Sequence, residues 1–297
     1  MQEKLVKVNG VNIAYQLHGI PSNPTILLIH GLSTPLTGWP IELINLLVAA
    51  NFQVLLLDNR DIGRSENLNH LGLPNLVWTL FKYKMGRSLK VPYQLHDMAK
   101  DVSALIDELY LPKVHVVGAS MGGMIAQLLA IHHPQQIKTL TSIMSTTGNP
   151  ELPTVHRSIR PLLISKPKSR QFEDVLNHHV SKWRAIESPD YPAASPYLQN
   201  YVQSMLQRGI PSRGAARQFL AILAAENREP ALSKITTPSL VIHGDSDKLV
   251  HVAGGRATAE SIPNSKLKIY PGMGHDLPVQ LIPSIASEII QHAREHH

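Results

Sequence analysis

The sequence of 297 residues contains no cysteine, and this absence excludes several kinds of chemistry. Without a thiol there can be no disulfide, no thiolate nucleophile, no iron–sulfur cluster and no cysteine-bound zinc. The zinc signature H-E-x-x-H is missing, and neither G-x-x-x-x-G-K-[ST] nor G-x-G-x-x-G follows a predicted strand. We therefore expect no bound metal and no cofactor.

Long apolar runs are also missing. The most apolar stretches, 25–29 and 54–57, are far shorter than the roughly 20 residues that span a bilayer. Residues 1–16 alternate charged and apolar side chains and lack the features of a secretory signal. We expect a soluble, cytoplasmic protein without stable membrane insertion.

The charge of the chain is only moderately positive, with 28 Lys and Arg against 22 Asp and Glu and a formal net charge of +6. The basic residues are scattered among acids, whereas nucleic-acid binders usually concentrate them in a stripe. We expect no nucleic-acid partner, and the sequence leaves the oligomeric state open.

The 43% of hydrophobic residues suffices for a sizeable core, and their pattern predicts an α/β fold. An Asn-Gly pair at 9–10 predicts an antiparallel hairpin at one edge. Helical spacing predicts helices at 94–109 and 121–133. The predicted strands are 5–8, 11–16, 25–30, 53–58, 113–118, 138–144, 239–243 and 266–270. Together they predict a mostly parallel central sheet with flanking helices.

The strand pattern stops at about residue 149 and resumes near 237. We therefore predict a core of 1–148 and 231–297 with an inserted helical cap at 149–230, and an additional flap at 66–92. The flap places Trp78 and Phe81 beside Lys82. A membrane-surface lipase would use such a stretch, but a flap packed over a cleft is the favoured interpretation.

Residues 118–122 form a G-x-S-x-G motif with Ser120 at its centre. Short glycine and serine patterns also serve ordinary turns, so the motif alone is weak evidence. Here it joins a predicted strand directly to a predicted helix. A serine on such a turn presents its hydroxyl at the carboxyl end of the sheet, beside the helix N-terminus. This context favours Ser120 as a nucleophile.

A serine hydroxyl needs a base to remove its proton, and the base needs an orienting acid. Most of the 16 histidines lie on predicted helices, at termini or in doublets, where a solvated or packing role is the default. His275 instead follows the last predicted strand in a glycine-rich turn that lets its ring reach back over the sheet edge. We therefore predict that His275 is the base.

Two aspartates after the preceding strand, Asp245 and Asp247, compete for the role of the acid. Asp247 lies farther into the loop and is better placed to reach a histidine, whereas Asp245 can shape the turn through backbone bonds. We favour Asp247. The order Ser120, Asp247, His275 then matches the chain order known for a serine on a strand-to-helix turn.

Acyl transfer also needs hydrogen-bond donors for the developing oxyanion. The residue after the nucleophile, Met121, offers its backbone N–H, and the loop after the strand ending at His30 offers that of Leu32. A charged run at 58–65 is interpreted as a structural loop, in which Asp and Arg two residues apart tie the loop together.

Several segments together resemble the α/β-hydrolase superfamily over nearly the whole chain. They are His-Gly at 30–31, the charged run at 58–65, the serine motif at 118–123, His-Gly-Asp-Ser-Asp at 243–247 and Gly-Met-Gly-His at 272–275. Asn-Arg-Asp at 59–61, Ser-Lys-Trp-Arg at 181–184 and the Gly-Met-Gly-His-Asp ending are similar to bacterial carboxylesterases of the aclacinomycin methylesterase type. The resemblance implies an α/β-hydrolase fold with Ser120, Asp247 and His275 as a catalytic triad and Leu32 and Met121 as oxyanion donors.

The combined interpretation is a carboxylic-ester hydrolase that cleaves small to medium molecules through an acyl-enzyme. A serine at position 120 argues against haloalkane dehalogenase and epoxide hydrolase chemistry, which needs a carboxylate nucleophile. Thioesterase, lactonase or cofactor-free perhydrolase activity on the same triad are alternatives. A non-catalytic, ligand-binding member of the fold is another.

Overall fold

The computed structural model describes residues 3–296, which form an eight-stranded sheet with helices on both faces. The strands are β1 (Lys4–Val8), β2 (Val11–His18), β3 (Thr25–Ile29), β4 (Gln53–Leu57), β5 (Val114–Ala119), β6 (Ile137–Ile143), β7 (Ser239–Gly244) and β8 (Lys266–Tyr270). The helices are α1 (Ile41–Ala49), α2 (Leu76–Lys84), α3 (Leu95–Glu108), α4 (Met121–His132), α5 (Arg160–Ile164), α6 (Phe172–Ile186), α7 (Ser195–Arg208), α8 (Ser212–Leu223), α9 (Glu229–Leu232), α10 (Ala253–Ser261) and α11 (Ile282–Glu295).

The strands lie in the order β1-β2-β4-β3-β5-β6-β7-β8, and β3 to β8 are parallel. β1 and β2 form the predicted antiparallel hairpin, in which Asn9 and Gly10 take φ values of 48° and 80°. β2 runs two residues farther than predicted because Leu17 and His18 pair with β4. The predicted α/β fold with a mostly parallel sheet is confirmed.

The core lies in two layers, one on each face of the sheet. Strands β3, β4 and β5 are buried along their whole length, so their apolar side chains alternate between the two layers. One layer packs against α3 and α4, and the other packs against α1 and α11. The neighbours of β3 are β4 and β5, so the strand order reverses there and opens a crevice outside the carboxyl ends of the strands.

Helices α5 to α9 fill the connection between β6 and β7. α6 and α7 share a small apolar cluster of their own, which contains Leu176, Leu198, Val202 and Met205. The division into a core of 1–148 and 231–297 and a cap of 149–230 agrees with this placement and stays a prediction.

Within the charged run at 58–65, the Arg64 N–H donates to Asp58 Oδ2 at 2.8 Å, but the side chains of Asp58 and Arg60, two residues apart, do not pair with each other as the sequence suggested. The side chains of the run pair instead with helices far along the chain. Asp58 binds Arg208 of α7 at 2.8 Å, and Arg60 binds a carboxylate of α3 at 2.6 Å. Asp61 binds Arg217 of α8 at 2.6 Å. The loop therefore fastens α7 and α8 to the sheet.

Within the flap of 66–92, the described structure consists mainly of a short 3-10 turn at Asn69–Leu71 and helix α2. Most large apolar side chains of α2 are exposed, which differs from the favoured interpretation of a flap packed over a cleft. No helix in the described part of the chain is both long and apolar enough to cross a membrane.

Candidate active site

Ser120 stands on the sharp turn between β5 and α4 at the carboxyl edge of the sheet. Its backbone has a φ of 55° and a ψ of −120°, a conformation that non-glycine residues rarely adopt. A Cβ on Gly118 would lie 2.2 Å from the carbonyl oxygen of Gly122, and one on Gly122 would lie 2.0 Å from that of Ile29. Both glycines are therefore needed for the close approach of strand, turn and helix that holds the serine in place.

The structure brings Ser120, His275 and Asp247 into one hydrogen-bonded row. His275 Nε2 lies 3.0 Å from Ser120 Oγ, and His275 Nδ1 lies 2.7 Å from Asp247 Oδ2. An ionised carboxylate can only accept, so Nδ1 carries the proton and Nε2 is free to accept from the serine hydroxyl. This arrangement can move a proton away from Ser120.

Asp247 is buried and held in its ionised form. Its Oδ1 accepts the backbone N–H groups of Leu249 and Val250, both at 2.8 Å. Burial alone would raise the pKa of Asp247, but the charge of His275 and hydrogen bonds from His243 and His275 outweigh it and lower the pKa. An ionised partner at this position stabilises a protonated His275.

Asp245 has a different set of contacts. Its Oδ1 accepts the backbone N–H of Gly272 at 2.8 Å and the hydroxyl of Ser246 at 3.0 Å. Asp245 thus joins the loop after β7 to the loop after β8, whereas the ring of His275 binds Asp247.

The N–H groups of Leu32 and Met121 lie on the two backbone segments that flank Ser120. Gly31 packs so closely that a Cβ there would lie 3.0 Å from Ser120 Cβ. Within residues 3–296, neither the Leu32 nor the Met121 N–H donates to a protein acceptor. Met121 also opens α4, where the helix dipole favours negative charge.

His30 supports the backbone segment that carries the Leu32 N–H, a role that the sequence did not indicate. Its Nδ1 accepts the N–H of Gly31 at 2.7 Å, so its Nε2 donates to the carbonyl of Gly38 at 3.1 Å. Burial lowers the pKa of His30 to about 4, which keeps the ring neutral. The hydroxyl of Tyr201 in α7 donates to the same Gly38 carbonyl at 2.6 Å.

Ser188, just after α6, supports the turn that carries His275. Its hydroxyl accepts the N–H of Gly274 at 2.8 Å and donates to Asp276 Oδ1 at 2.5 Å. The N–H of His275 donates to the carbonyl of Ile186 at 2.8 Å. Nothing in the sequence around Ser188 signals this role, because its partners are 86 and 88 residues away.

Asp276 has a raised pKa. Burial is the main cause and outweighs the hydrogen bonds from Ser188, so the pKa of Asp276 rises to about 6. The carboxyl lines a cavity of about 40 Å³ between α6, α7 and the His275 turn, together with Trp183 and Tyr201. A larger depression of about 420 Å³ lies at the far end of α4, beside Ala130 and Pro134. The length of α4 separates this depression from Ser120.

One group of side chains in the described part of the chain has the spacing of metal ligands. It comprises His292, Glu295 and His296 at the end of α11, with ligand atoms within 4.8 Å of one another. Glu295 is already paired with Lys266. The group belongs to the end of α11 and not to the loops that carry Ser120, Asp247 and His275.

A serine turn after β5, an acid after β7 and a histidine after β8 are the arrangement of an α/β hydrolase. The chain belongs to the alpha/beta hydrolase fold family, whose profile matches residues 24–280. The resemblance stated from the sequence is thereby confirmed at the level of the family.

Individual relatives match this chain over most or nearly all of its length. The chain is 25% identical to a rhodomycin D methylesterase of Streptomyces peucetius, over 99% of each chain. It is 28% identical to a 2-hydroxy-6-oxononadienedioate/2-hydroxy-6-oxononatrienedioate hydrolase of Cupriavidus pinatubonensis, over 84% of this chain and 80% of the other. The crystal structure of an enol-lactonase from Burkholderia xenovorans matches with a TM-score of 0.74 and 21% identity, over 98% of this chain and 100% of that one.

The methylesterase match is consistent with the methylesterase-type resemblance found in the sequence. The names of the relatives, together with the fold, bear out the expectation of an enzyme in the class of carboxylic-ester hydrolases.

Proposed function

We propose that the protein hydrolyses carboxylic esters of small to medium molecules, with Ser120 as the nucleophile, His275 as the general base and acid, and Asp247 as the orienting carboxylate. The observation that supports this proposal is the row of hydrogen bonds from Asp247 through His275 to Ser120, at 2.7 and 3.0 Å. This row supplies the base and the acid that a serine nucleophile needs.

The reaction begins when Ser120 Oγ attacks the ester carbonyl carbon and His275 Nε2 takes the hydroxyl proton. The carbonyl oxygen becomes an oxyanion, which accepts hydrogen bonds from the N–H groups of Leu32 and Met121. His275 then gives its proton to the alcohol oxygen as the carbon–oxygen bond breaks, and this leaves an acyl-Ser120 intermediate. Asp247 stays ionised throughout and stabilises the protonated ring.

Water then hydrolyses the acyl-Ser120 intermediate, and His275 again acts first as base and then as acid. His275 takes a proton from a water molecule, whose oxygen attacks the acyl carbon. The tetrahedral intermediate collapses, the acid leaves, and His275 returns its proton to Ser120 Oγ.

Ester cleavage is preferred over other serine chemistry because the methylesterase match extends over 99% of each chain. The relative from Cupriavidus pinatubonensis is named as a hydrolase of a different compound class. A screen of methyl, aryl and thioester substrates and of lactones distinguishes these activities. The proposal expects the highest kcat/KM on an oxygen ester.

The experiment that tests the mechanism compares the protein with its Ser120→Ala variant on short-chain aryl esters. We expect kcat to fall by roughly four to six orders of magnitude, because the attacking oxygen is removed while binding and oxyanion donors remain. A fluorophosphonate probe should label the native protein at Ser120 and leave the variant unlabelled. Equal turnover by the two proteins would refute the assignment, and an unlabelled native protein would favour a ligand-binding role.

A further inference from the structure

Helix α2 exposes apolar side chains to solvent. The exposed fraction is 79% for Val77, 56% for Trp78, 40% for Leu80 and 50% for Phe81. Such a cluster of large apolar side chains on a surface marks an interaction site.

The apolar face of α2 points away from the rest of the protein. Val77, Leu80 and Phe81 are spaced by three and four residues, so they share one side of the helix. Thr79 is two residues from both Val77 and Phe81, about 200° around the helix, and it is buried with 6% exposure. The helix thus turns Thr79 inward and presents Val77, Leu80 and Phe81 outward, the reverse of an ordinary surface helix.

Local hydrogen bonds hold α2 in shape without apolar packing. Asn75 Oδ1 accepts the N–H of Trp78 at 3.0 Å and caps the first turn. Gly86, with a φ of 64°, ends the helix, and the N–H of Arg87 returns to the carbonyl of Lys82 at 3.0 Å. The exposed face is therefore part of a formed helix.

The charge around α2 is of one sign. Residues 67–96 include no Asp or Glu but contain Lys82, Lys84, Arg87 and Lys90. Lys82 Nζ lies 5.7 Å from the ring centroid of Trp78, and Arg87 and Lys90 are exposed. The apolar face is therefore accompanied by positive charge, which favours a negatively charged partner.

We propose that α2 docks the protein on a membrane surface that contains anionic phospholipids. A second copy of this chain fits poorly, because a symmetric contact through α2 brings the same basic residues together with no acid in 67–96 to offset them. An interfacial helix needs aromatic and aliphatic side chains for the headgroup boundary and Lys or Arg for the anionic lipids. α2 and the residues after it supply both.

The base of the flap and the loop that carries the Leu32 N–H are both fastened to α8. Arg217 of α8 binds Asn67 and Asn69 at the base of the flap, at 3.1 and 3.3 Å. The next residue of α8, Gln218, accepts the N–H of Ser33 at 3.0 Å. The proposal does not depend on the chemistry of Ser120.

The experiment measures cosedimentation of the whole protein with vesicles of phosphatidylcholine alone and with vesicles of equal parts phosphatidylcholine and phosphatidylglycerol. We expect binding to the mixed vesicles, much weaker binding to phosphatidylcholine, and a decrease with added salt. The Ser120→Ala variant should bind as the native protein does, so a failure of the ester hypothesis leaves this result unchanged.

Matched variants identify the surface. Val77→Ser with Phe81→Ser should lower the partition coefficient by at least about tenfold, whereas Ile164→Ser, which alters an 84% exposed side chain of α5, should not. Arg87→Gln with Lys90→Gln should lower the partition coefficient by roughly 25-fold, because each basic residue contributes about fivefold. Lys113→Gln with Lys234→Gln makes the same charge change before β5 and β7 and should have little effect.

Three results overturn the proposal. The first is no binding to the mixed vesicles, or equal binding to both kinds. The second is an equal loss of binding in the control variants. The third is a dimer in the native protein, seen by light scattering, that Phe81→Ser dissociates, because a second copy would then cover the face.

Discussion

At the scale of single residues, the two aspartates after β7 have separate tasks. Asp247 accepts from His275 and from two backbone N–H groups, whereas Asp245 joins two loops through Gly272. The two side chains are chemically identical and two positions apart. Their contacts alone therefore decide what each can do.

The first prediction uses this pair as a matched comparison. Asp247→Asn should lower kcat by about 10⁴-fold, because an amide in place of the carboxylate no longer holds the proton on His275 Nδ1. Asp245→Asn keeps an oxygen that can accept from Gly272, so kcat should change by less than about tenfold. Both are measured with a saturating aryl ester. Similar losses in the two variants would contradict the role proposed for Asp247.

The second prediction concerns Ser188, which we propose as a positioning residue. Ser188→Ala leaves the buried N–H of Gly274 without its acceptor, and the His275 turn loses its fixed position. We expect kcat to fall by about tenfold with little change in KM. Ser181→Ala in α6, whose hydroxyl is on the surface, serves as the control and should keep native kcat. An unchanged kcat in Ser188→Ala would count against the role.

At the scale of elements, α8 is attached to the core by an ion pair that is wholly removed from water. The side chains of Arg217 and Asp61 are both 0% exposed, and two of their nitrogen–oxygen distances are 2.7 and 2.6 Å. Hydrogen bonds to Asp61 and its charge raise the pKa of Arg217 against the opposing effect of burial. Burying two charges is unfavourable, so this pair fixes a position more than it adds stability.

The third prediction follows from that pair. Arg217→Met keeps much of the side-chain length but leaves Asp61 buried without its partner, which should lower the free energy of unfolding by about 3–5 kcal/mol. Urea unfolding measures the change. Arg213→Met removes an exposed charge from the same helix and should change it by less than about 0.5 kcal/mol. Adding Asp61→Asn to Arg217→Met should recover part of the loss; no recovery would mean that lost packing is the cause.

At the scale of the whole molecule, buried neutral histidines make the fold sensitive to acid. Burial lowers the pKa of His30 and of His292 to about 4 in each case. In the unfolded chain a histidine has a pKa near 6.5. Between pH 6.5 and 4, His30 and His292 therefore bind protons in the unfolded state but remain neutral in the native state. Stability from these groups is therefore complete above 6.5 and is lost as the pH falls towards 4. Asp276, with its pKa raised to about 6, opposes this trend in part.

The fourth prediction is that the free energy of unfolding falls between pH 6.5 and 4, with up to about 3 kcal/mol from His30. His30→Gln should reduce this pH dependence, whatever its effect on absolute stability. His70→Gln replaces an exposed ring and should leave the dependence unchanged. Denaturant titrations at several pH values measure the slope. Parallel curves for native protein and His30→Gln would contradict the assignment.

The sequence by itself determined the features that depend on neighbouring residues. The apolar runs predicted β3, β4, β5 and β7 to within one residue at each end, because a parallel strand buried on both faces is apolar along most of its length. Asn9 and Gly10 predicted the hairpin, because both tolerate positive φ. The glycines around Ser120 predicted the sharp turn, since only glycine permits the contacts found there.

Only the tertiary structure decided which distant groups meet. Ser120 and His275 are 155 positions apart, and the partners of Ser188, Asp58 and Arg217 are also remote. The exposure of α2 likewise depends on what packs beside it. Hydrophobic periodicity records whether a side chain faces a core, but hydrogen bonds and ion pairs depend on distances of a few ångströms that the chain sets only when it is folded.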